Sequence, residues 1–263
     1  MVSCDLLVLP AMTTPETHSP QAPHPPLPDY YGGESARPAW VRATFNRTAE
    51  DYDRVEAVMS AGSGGLYRRQ ALLRAGLVAG MNVLDVGAGT GLVSKQAARI
   101  VGEHGSVTSV DPGYNMLRAG ALPDSIRAVT GMAERLPFVS AQFDFLSMGY
   151  ALRHVADLAV TFAEYHRVLK PGARLCILEI TPPQGRTAAA VLRLYMRKVV
   201  PILTRMIARH AETTTLMRYY WDTIETCVPP AVVMEALETA GFRNVERHVE
   251  LRVFSEYRAV RAD

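Results

Sequence analysis

From Met81 onward the chain switches between two hydrophobic patterns. Short stretches rich in apolar and β-branched residues fall at about 82–86, 106–110, 126–130, 143–148 and 173–180. Between them, at about 91–101, 114–119 and 156–168, apolar positions recur at helical spacing. Stretches of the first kind predict strands, and their alternation with helices predicts a doubly wound, mostly parallel sheet. Lys170-Pro171-Gly172 marks a turn before the fifth strand, and Pro229-Pro230 opens a helix that Gly241 closes. Two further strands, at about 243–250 and 253–260, bring the expected sheet to seven. Helices are predicted upstream at about 40–60, with Trp40, Phe45, Tyr52, Val55 and Met59 as apolar positions, and at about 65–76.

Two segments depart from this alternation. Residues 1–38 hold eight prolines and little apolar periodicity, and are expected to form a disordered leader ahead of a domain over 39–263. Residues 186–209 place Leu192, Met196, Val199, Leu203 and Met206 on one helical face, opposite Arg193, Arg197, Lys198, Arg205 and Arg209. Pro201 is expected to split this stretch into two helices. Together with the helix that follows, they predict a helical lid at about 186–224 over the functional site. The basic face reads either as solvated or as a surface resting on anionic lipid, a peripheral membrane contact.

The chemistry is concentrated where the first strand ends. Val83-Leu84-Asp85-Val86 runs into Gly87, Gly89 and Gly91, with Thr90 between the last two. Glycines at alternate positions between strand and helix let a ligand approach backbone, and the helix N-terminus beyond aims N–H groups at it. A dinucleotide fingerprint needs a glycine at the position of Leu92, and a phosphate loop needs Gly-Lys-Ser/Thr; neither occurs. Asp85 repels a pyrophosphate but attracts an ammonium. Asp111 ends the second strand, about twenty residues beyond the glycines, where an acid accepts hydrogen bonds from ribose hydroxyls. A nucleoside carrying an amino acid meets these requirements: S-adenosylmethionine. Taken singly, the glycines also suit a tight turn and Asp111 a strand-end cap.

Composition narrows the classes. The net charge of +2 gives no case for a nucleic-acid partner. The three cysteines, Cys4, Cys176 and Cys227, are scattered, which excludes a disulfide framework and a cysteine zinc site. No histidine and carboxylate set has metal-ligand spacing, so no metal is expected. The absence of a signal-like leader and of a membrane-spanning run predicts a reducing, cytoplasmic setting. No nucleophile elbow accompanies a Ser-His-Asp order, so hydrolysis has no support.

Over about residues 41–243 the chain resembles the ubiquinone/menaquinone biosynthesis C-methyltransferases, within the class I S-adenosylmethionine-dependent methyltransferases. The resemblance rests on Phe45, Ala49, Tyr52-Asp53, Met59-Ser60 and Gly62, on Asp85 to Gly91, on Gly131 to Phe138, on Tyr150 to Val155, and on Arg218-Tyr219, Ile224 and Pro229. Arg167 to Gly172 is shared more widely. The resemblance implies an α/β, doubly wound, mostly parallel seven-stranded sheet of the Rossmann-like methyltransferase fold, with N-terminal helices and a helical lid insertion. It also implies that Thr90 and the glycine backbone hold the methionine part of the cofactor and Asp111 its ribose. Met116 would pack on the adenine, Met132 and Ala133 border it, and Gly149 stand where a serine often makes a further contact.

On the acceptor side, Arg153 and His154 occupy the place of an Arg-Asn pair. Arg153 is expected to stabilise a phenolate, and His154 to act as base because an imidazole titrates near neutrality. Tyr52, Tyr150 and Tyr195 are expected pocket walls. The implied acceptor is a small, lipophilic aromatic, a quinol methylated at ring carbon, and the resemblance accommodates a homodimer. His154 and Glu56, each in place of an asparagine, and an altered C-terminus keep two alternatives in play. One is oxygen or nitrogen methylation of another metabolite or lipid; the other is a noncatalytic cofactor-binding partner.

Overall fold

The computed structural model describes residues 21–60 and 62–262. Seven strands form one sheet: β1 (Asn82–Val86), β2 (Ser106–Asp111), β3 (Ile126–Thr130), β4 (Phe143–Gly149), β5 (Leu169–Ile180), β6 (Phe242–Glu250) and β7 (Phe254–Arg261). Their order is β3-β2-β1-β4-β5-β7-β6. The first five run parallel, while β7 pairs antiparallel with β5 and with β6. The strand order reverses between β1 and β4, so their carboxyl ends open a crevice, the place where open α/β sheets bind ligands.

Helices α1 (Pro28–Tyr31), α2 (Arg37–Met59) and α3 (Gly64–Arg74) precede the sheet. Helices α4 (Leu92–Val101), α5 (Tyr114–Ala119) and α6 (Leu158–Val168) cross between strands, and α7 (Arg186–Leu194), α8 (Val200–Ile207), α9 (Glu212–Thr226) and α10 (Pro230–Thr239) lie between β5 and β6. One sheet face packs Phe143, Leu146 and Ile177 against Phe162, Tyr165 and Leu237 of α6 and α10. The other packs Val83, Val107 and Phe145 against Leu72, Ala97 and Val101 of α3 and α4. A third core, built from Val55, Met196, Val200, Leu216, Trp221 and Ile224, joins α2 to the lid helices.

The elements follow the predicted pattern except at four places, each with a physical cause. Helix α6 starts at Leu158 because the Asp157 carboxylate caps it, accepting from the N–H of Ala159 at 2.8 Å and of Val160 at 3.3 Å. Strand β5 begins at Leu169, which pairs with Phe143, so Lys170-Pro171-Gly172 is an irregularity within the strand. Residues 21–38 are not a disordered leader: the carbonyls of Gln21 and Pro23 accept from Leu158 and Val228 N–H at 3.0 and 2.8 Å. Pro28 and Pro38 stand in the first turns of α1 and α2, where proline is pre-organised for a helix. The part of the expected leader before residue 21, with Cys4, lies outside the described residues.

The fourth difference is in the lid. Pro201 does stand in the first turn of a second helix, α8, but a π-helical turn over Tyr195–Val199 joins α7 to α8 without a break in helical backbone. The wider turn takes up an extra residue and moves the inward face on by one position. Met196, Val200 and Thr204 are buried, whereas Val199 is exposed and Met206 is 77% exposed. The buried Asp51 of α2 ties the α8–α9 junction down, accepting from the backbone N–H of Arg209 and His210 and from the Thr213 hydroxyl. Burial works against its charge, yet these donors bring its pKa down to about 2.

Candidate active site

The crevice holds two adjoining cavities that share Tyr52, Gly87, Gly89, Gly149 and Tyr150 as walls. The larger lies between α2, which supplies Val41, Phe45 and Tyr52, and the strand ends, which supply Asp111, Met148 and the loop Ala151–Val155 with His154. Met116 and Ala133 complete it. The smaller adds Asp85, Thr90 and Arg68. No lid residue lines either cavity. The lid helices pack against α2 and, through Tyr219, against His154, while α2 and the His154 loop form the cavity wall, contrary to the expectation of a direct cover.

The glycine turn is built as its spacing requires. Gly87, Gly89 and Gly91 have φ of +64°, +57° and +77°, conformations that side chains other than glycine adopt at a penalty. A Cβ on Gly87 would lie 2.5 Å from Ala151 Cβ, and one on Gly89 3.3 Å from Met116 Cε. Gly91 serves differently: it caps α4 and a Cβ there would lie 2.2 Å from Leu122 Cδ2, so it packs outside both cavities.

Two acids flank the turn. Asp85 is fully buried and accepts from the Ser94 hydroxyl at 2.5 Å and the Ser147 hydroxyl at 2.7 Å; the Ser109 hydroxyl donates to Ser94. Strand register supplies this network, since Asp85 stands level with Ser109 of β2 and Ser147 of β4. The serines were not singled out in the sequence, because hydroxyls within apolar strands carry no periodic signal. Asp111 accepts from Gly89 N–H at 2.8 Å and Gly113 N–H at 2.7 Å. Burial raises both carboxyls to a pKa of about 6, the donors only partly offsetting it. Thr90 donates its hydroxyl to Asp53 and so fastens the turn to α2.

The acceptor side corrects several expectations. Arg153 does not reach the cavity. It is fully buried in an ion pair with Glu179, donates Nε to Thr223 Oγ1 at 3.3 Å, and lies 4.4 Å from the Tyr220 ring centroid. Burial raises the Glu179 carboxyl, while Arg153 and the N–H groups of Leu152 and Ile180 pull it back. The loop it anchors is also held by Arg37, whose Nη2 donates to the carbonyls of Arg153 at 2.9 Å and Val155 at 3.0 Å. Arg37 fell within the expected leader and went unnoticed there.

His154 does line the main cavity. Its ring stands edge-on to Phe45 and stacks with Tyr219, at centroid distances of 5.2 and 5.6 Å. Nδ1 lies 3.5 Å from the Tyr219 hydroxyl, and the buried Nε2 has no hydrogen-bond partner. Burial, aided by the charges of Arg153, Arg37 and His24, holds its pKa well below the ordinary histidine value. The imidazole is therefore neutral at physiological pH and does not titrate near neutrality as expected. Met132 is 44% exposed and lines an outer groove instead of the main cavity, although Ala133 beside it stays on the wall. Tyr195 packs into the lid core, away from the cavities.

The donor set suits S-adenosylmethionine: an acid and helix N–H groups beside a glycine cradle, a second acid at the ribose position, and apolar Met116 and Ala133. Comparison with known proteins agrees. A profile of the ubiE/COQ5 methyltransferase family matches residues 33–252. The ubiquinone/menaquinone biosynthesis C-methyltransferase UbiE of Shewanella halifaxensis is 32% identical over 212 residues, 78% of this chain and 83% of that protein. The UbiE protein of Hahella chejuensis is 31% identical over 208 residues, 76% of this chain and 82% of that protein. In fold, the chain is similar to a SAM-dependent methyltransferase from Aquifex aeolicus, with TM-score 0.57 and 21% identity over 79% of this chain and 97% of the other. Cavity, glycine turn and these likenesses lead to one conclusion: the chain belongs to the ubiE/COQ5 methyltransferase family and is an S-adenosylmethionine-dependent methyltransferase.

Proposed function

We propose that this enzyme methylates a ring carbon of a reduced, quinone-type aromatic bearing an apolar substituent. The observation that carries the reading is His154: neutral, half-buried, its buried Nε2 unpartnered, on the aromatic wall of a cavity that adjoins the glycine turn. The names of the bacterial relatives point to the same reaction.

Bound in the crevice, S-adenosylmethionine supplies an electrophilic methyl group on a positively charged sulfur. Asp85, with the backbone around Gly87, Gly89 and Thr90, receives the methionine end. Asp111 accepts from the ribose hydroxyls, and Met116 and Ala133 pack on the adenine. Phe45, Tyr52 and Tyr150 hold the acceptor ring and exclude water, so that proximity and orientation provide most of the acceleration. With its proton on Nδ1, toward the Tyr219 oxygen, His154 offers Nε2 to a ring hydroxyl. The shared proton raises electron density at the neighbouring ring carbons. As the ring carbon bonds to the methyl group, the methyl–sulfur bond breaks to leave a neutral thioether, and the hydrogen on that carbon leaves as a proton to solvent. Because burial disfavours the imidazolium, His154 shares the hydroxyl proton without storing it, which demands an electron-rich ring: a quinol, not a quinone. Arg153, Glu179 and Arg37 act at one remove by fixing the loop that carries His154.

Acceptor delivery involves the lid ridge. Val191, Leu194, Ile202 and Met206 are exposed beside Lys198 and Arg205, a combination suited to an anionic lipid surface. Arg193 and Arg197 already pair with Glu225. Among the described residues no helix is long and apolar enough to cross a membrane.

The test is methyl transfer from isotope-labelled S-adenosylmethionine to a panel of chemically reduced demethylated quinols, read by mass spectrometry. Label is expected on a ring carbon. His154→Phe is expected to lower kcat by roughly 10²–10⁴-fold, with S-adenosylhomocysteine affinity unchanged. Cofactor binding with label only on oxygen or nitrogen of other acceptors overturns the carbon assignment, and no label even from a crude metabolite extract leaves a noncatalytic partner.

A further inference from the structure

We infer that Arg68 is the receptor for the carboxylate of the cofactor's amino-acid end. The inference rests on the cofactor assignment and extends it to a residue outside the glycine turn and its acids. An amino acid is a zwitterion and needs a receptor for each charge. In the smaller cavity Asp85 supplies the anionic one, and Arg68 is the one cation among the residues that line it.

The guanidinium is prepared for this role by its surroundings. Arg68 is only 5% exposed. Its Nη1 donates to Glu56 Oε1 at 2.8 Å, and its ζ-carbon lies 5.4 Å from the Tyr150 ring centroid. These contacts fix the plane of the fork while leaving the buried Nε without a hydrogen-bond partner. A buried, unpartnered guanidinium N–H is expensive, and a carboxylate satisfies it in the geometry that arginine favours. Two neighbours have shapes that this arrangement explains. A Cβ on Gly64 would lie 2.2 Å from Glu56 Oε1 and 2.5 Å from Arg68 Nη1, so the glycine makes room for the pair. Tyr150 adopts φ of +59°, an uncommon conformation for a large residue, and carries its ring between the two cavities above the guanidinium. Glu56 neutralises one edge of Arg68, and the other edge is kept for the ligand.

Calorimetric titration with two ligands separates this role from a structural one. S-adenosylhomocysteine carries the amino-acid end, and 5′-methylthioadenosine lacks it but shares the ribose and adenine. Arg68→Gln is expected to weaken S-adenosylhomocysteine by roughly 10–100-fold, the range of a charge-assisted pair, and to leave methylthioadenosine unchanged. Arg68→Lys is expected to recover part of the loss. Asp111→Asn, at the ribose, should weaken both ligands together. Equal weakening of the two ligands by Arg68→Gln, or no weakening of either, overturns the inference. Wild-type protein that binds neither ligand overturns the cofactor assignment itself.

Discussion

The two halves of the active site are built by different means. The cofactor half is mostly local: Asp85 to Gly91 and Asp111 to Met116 are short stretches whose positions follow from where strands end, with Arg68 and Ala133 added from other elements. The acceptor half is assembled from distant parts of the chain. Arg37 holds the carbonyls of Arg153 and Val155, Arg153 pairs with Glu179 and Thr223, and Tyr219 stacks on His154. Backbone geometry can be specified by a motif, whereas a constellation of side chains from four elements can be specified only by the fold. The cofactor half is therefore the more readable of the two, and the acceptor half the more easily disrupted.

The largest test of that contrast is Glu179→Gln. It leaves Arg153 buried without a counter-charge and is expected to reduce stability by about 3–5 kcal/mol, read from the urea midpoint. Methylthioadenosine affinity in the folded fraction should be unaffected; joint loss would mean the halves are not separable. Arg37→Ala removes the two charge-assisted hydrogen bonds to the loop carbonyls and a third to Glu34, and should cost about 1.5–3 kcal/mol, with acceptor turnover falling while cofactor affinity stays.

The pH response sharpens the contrast further. Asp85 and Asp111 have folded pKa values raised to about 6 from 3.8. Their contribution to stability is complete below the unfolded value and disappears as pH rises through the folded one. Unliganded protein should therefore lose stability from about pH 4 to about pH 7, relative to an Asp85→Asn/Asp111→Asn variant. S-adenosylhomocysteine affinity should rise over the same window as the acids ionise. Asp51, which fastens the lid, has the opposite sign: its contribution is complete above 3.8 and disappears as pH falls through about 2. Melting temperatures with and without ligand across this range check both slopes; parallel slopes would contradict the raised values at the turn.

The smallest effect concerns neither half. Leu251 and Arg252 join β6 to β7 with φ of +48° and +64°, the turn geometry that favours asparagine and glycine. Leu251→Asn should add about 0.5–1 kcal/mol to stability and leave both ligand affinities untouched.

What the sequence revealed follows the same division. The seven strands and their mostly parallel arrangement were legible from the alternation of strands with helices, whereas the insertion of β7 between β5 and β6 was not, because nothing along the chain sets which neighbour a late strand pairs with. Gly87, Gly89, Asp111, Met116 and Ala133 all reached the main cavity wall. Pro28 and Pro38 misled, because proline in a helix's first turn has the same composition as proline in a disordered stretch. Val199 and Met206 misled because a π turn changes the period that a helical wheel assumes. Arg153 looked catalytic from its place in a motif, but only the fold shows Glu179 beside it. Arg68 lies in a helix with no motif of its own, and nothing along the chain announces that its face meets Asp85 and Tyr150.

The hydrogen bond from Thr90 to Asp53 has a thermodynamic consequence. It joins the turn that receives one substrate to the wall that encloses the other. An event at either end therefore biases the other, and such coupling is reciprocal. Whatever factor the methyl donor applies to acceptor affinity, the acceptor applies to the donor. Cutting that bond with Thr90→Val should make the two binding equilibria independent, so that saturating one site no longer changes the dissociation constant measured at the other.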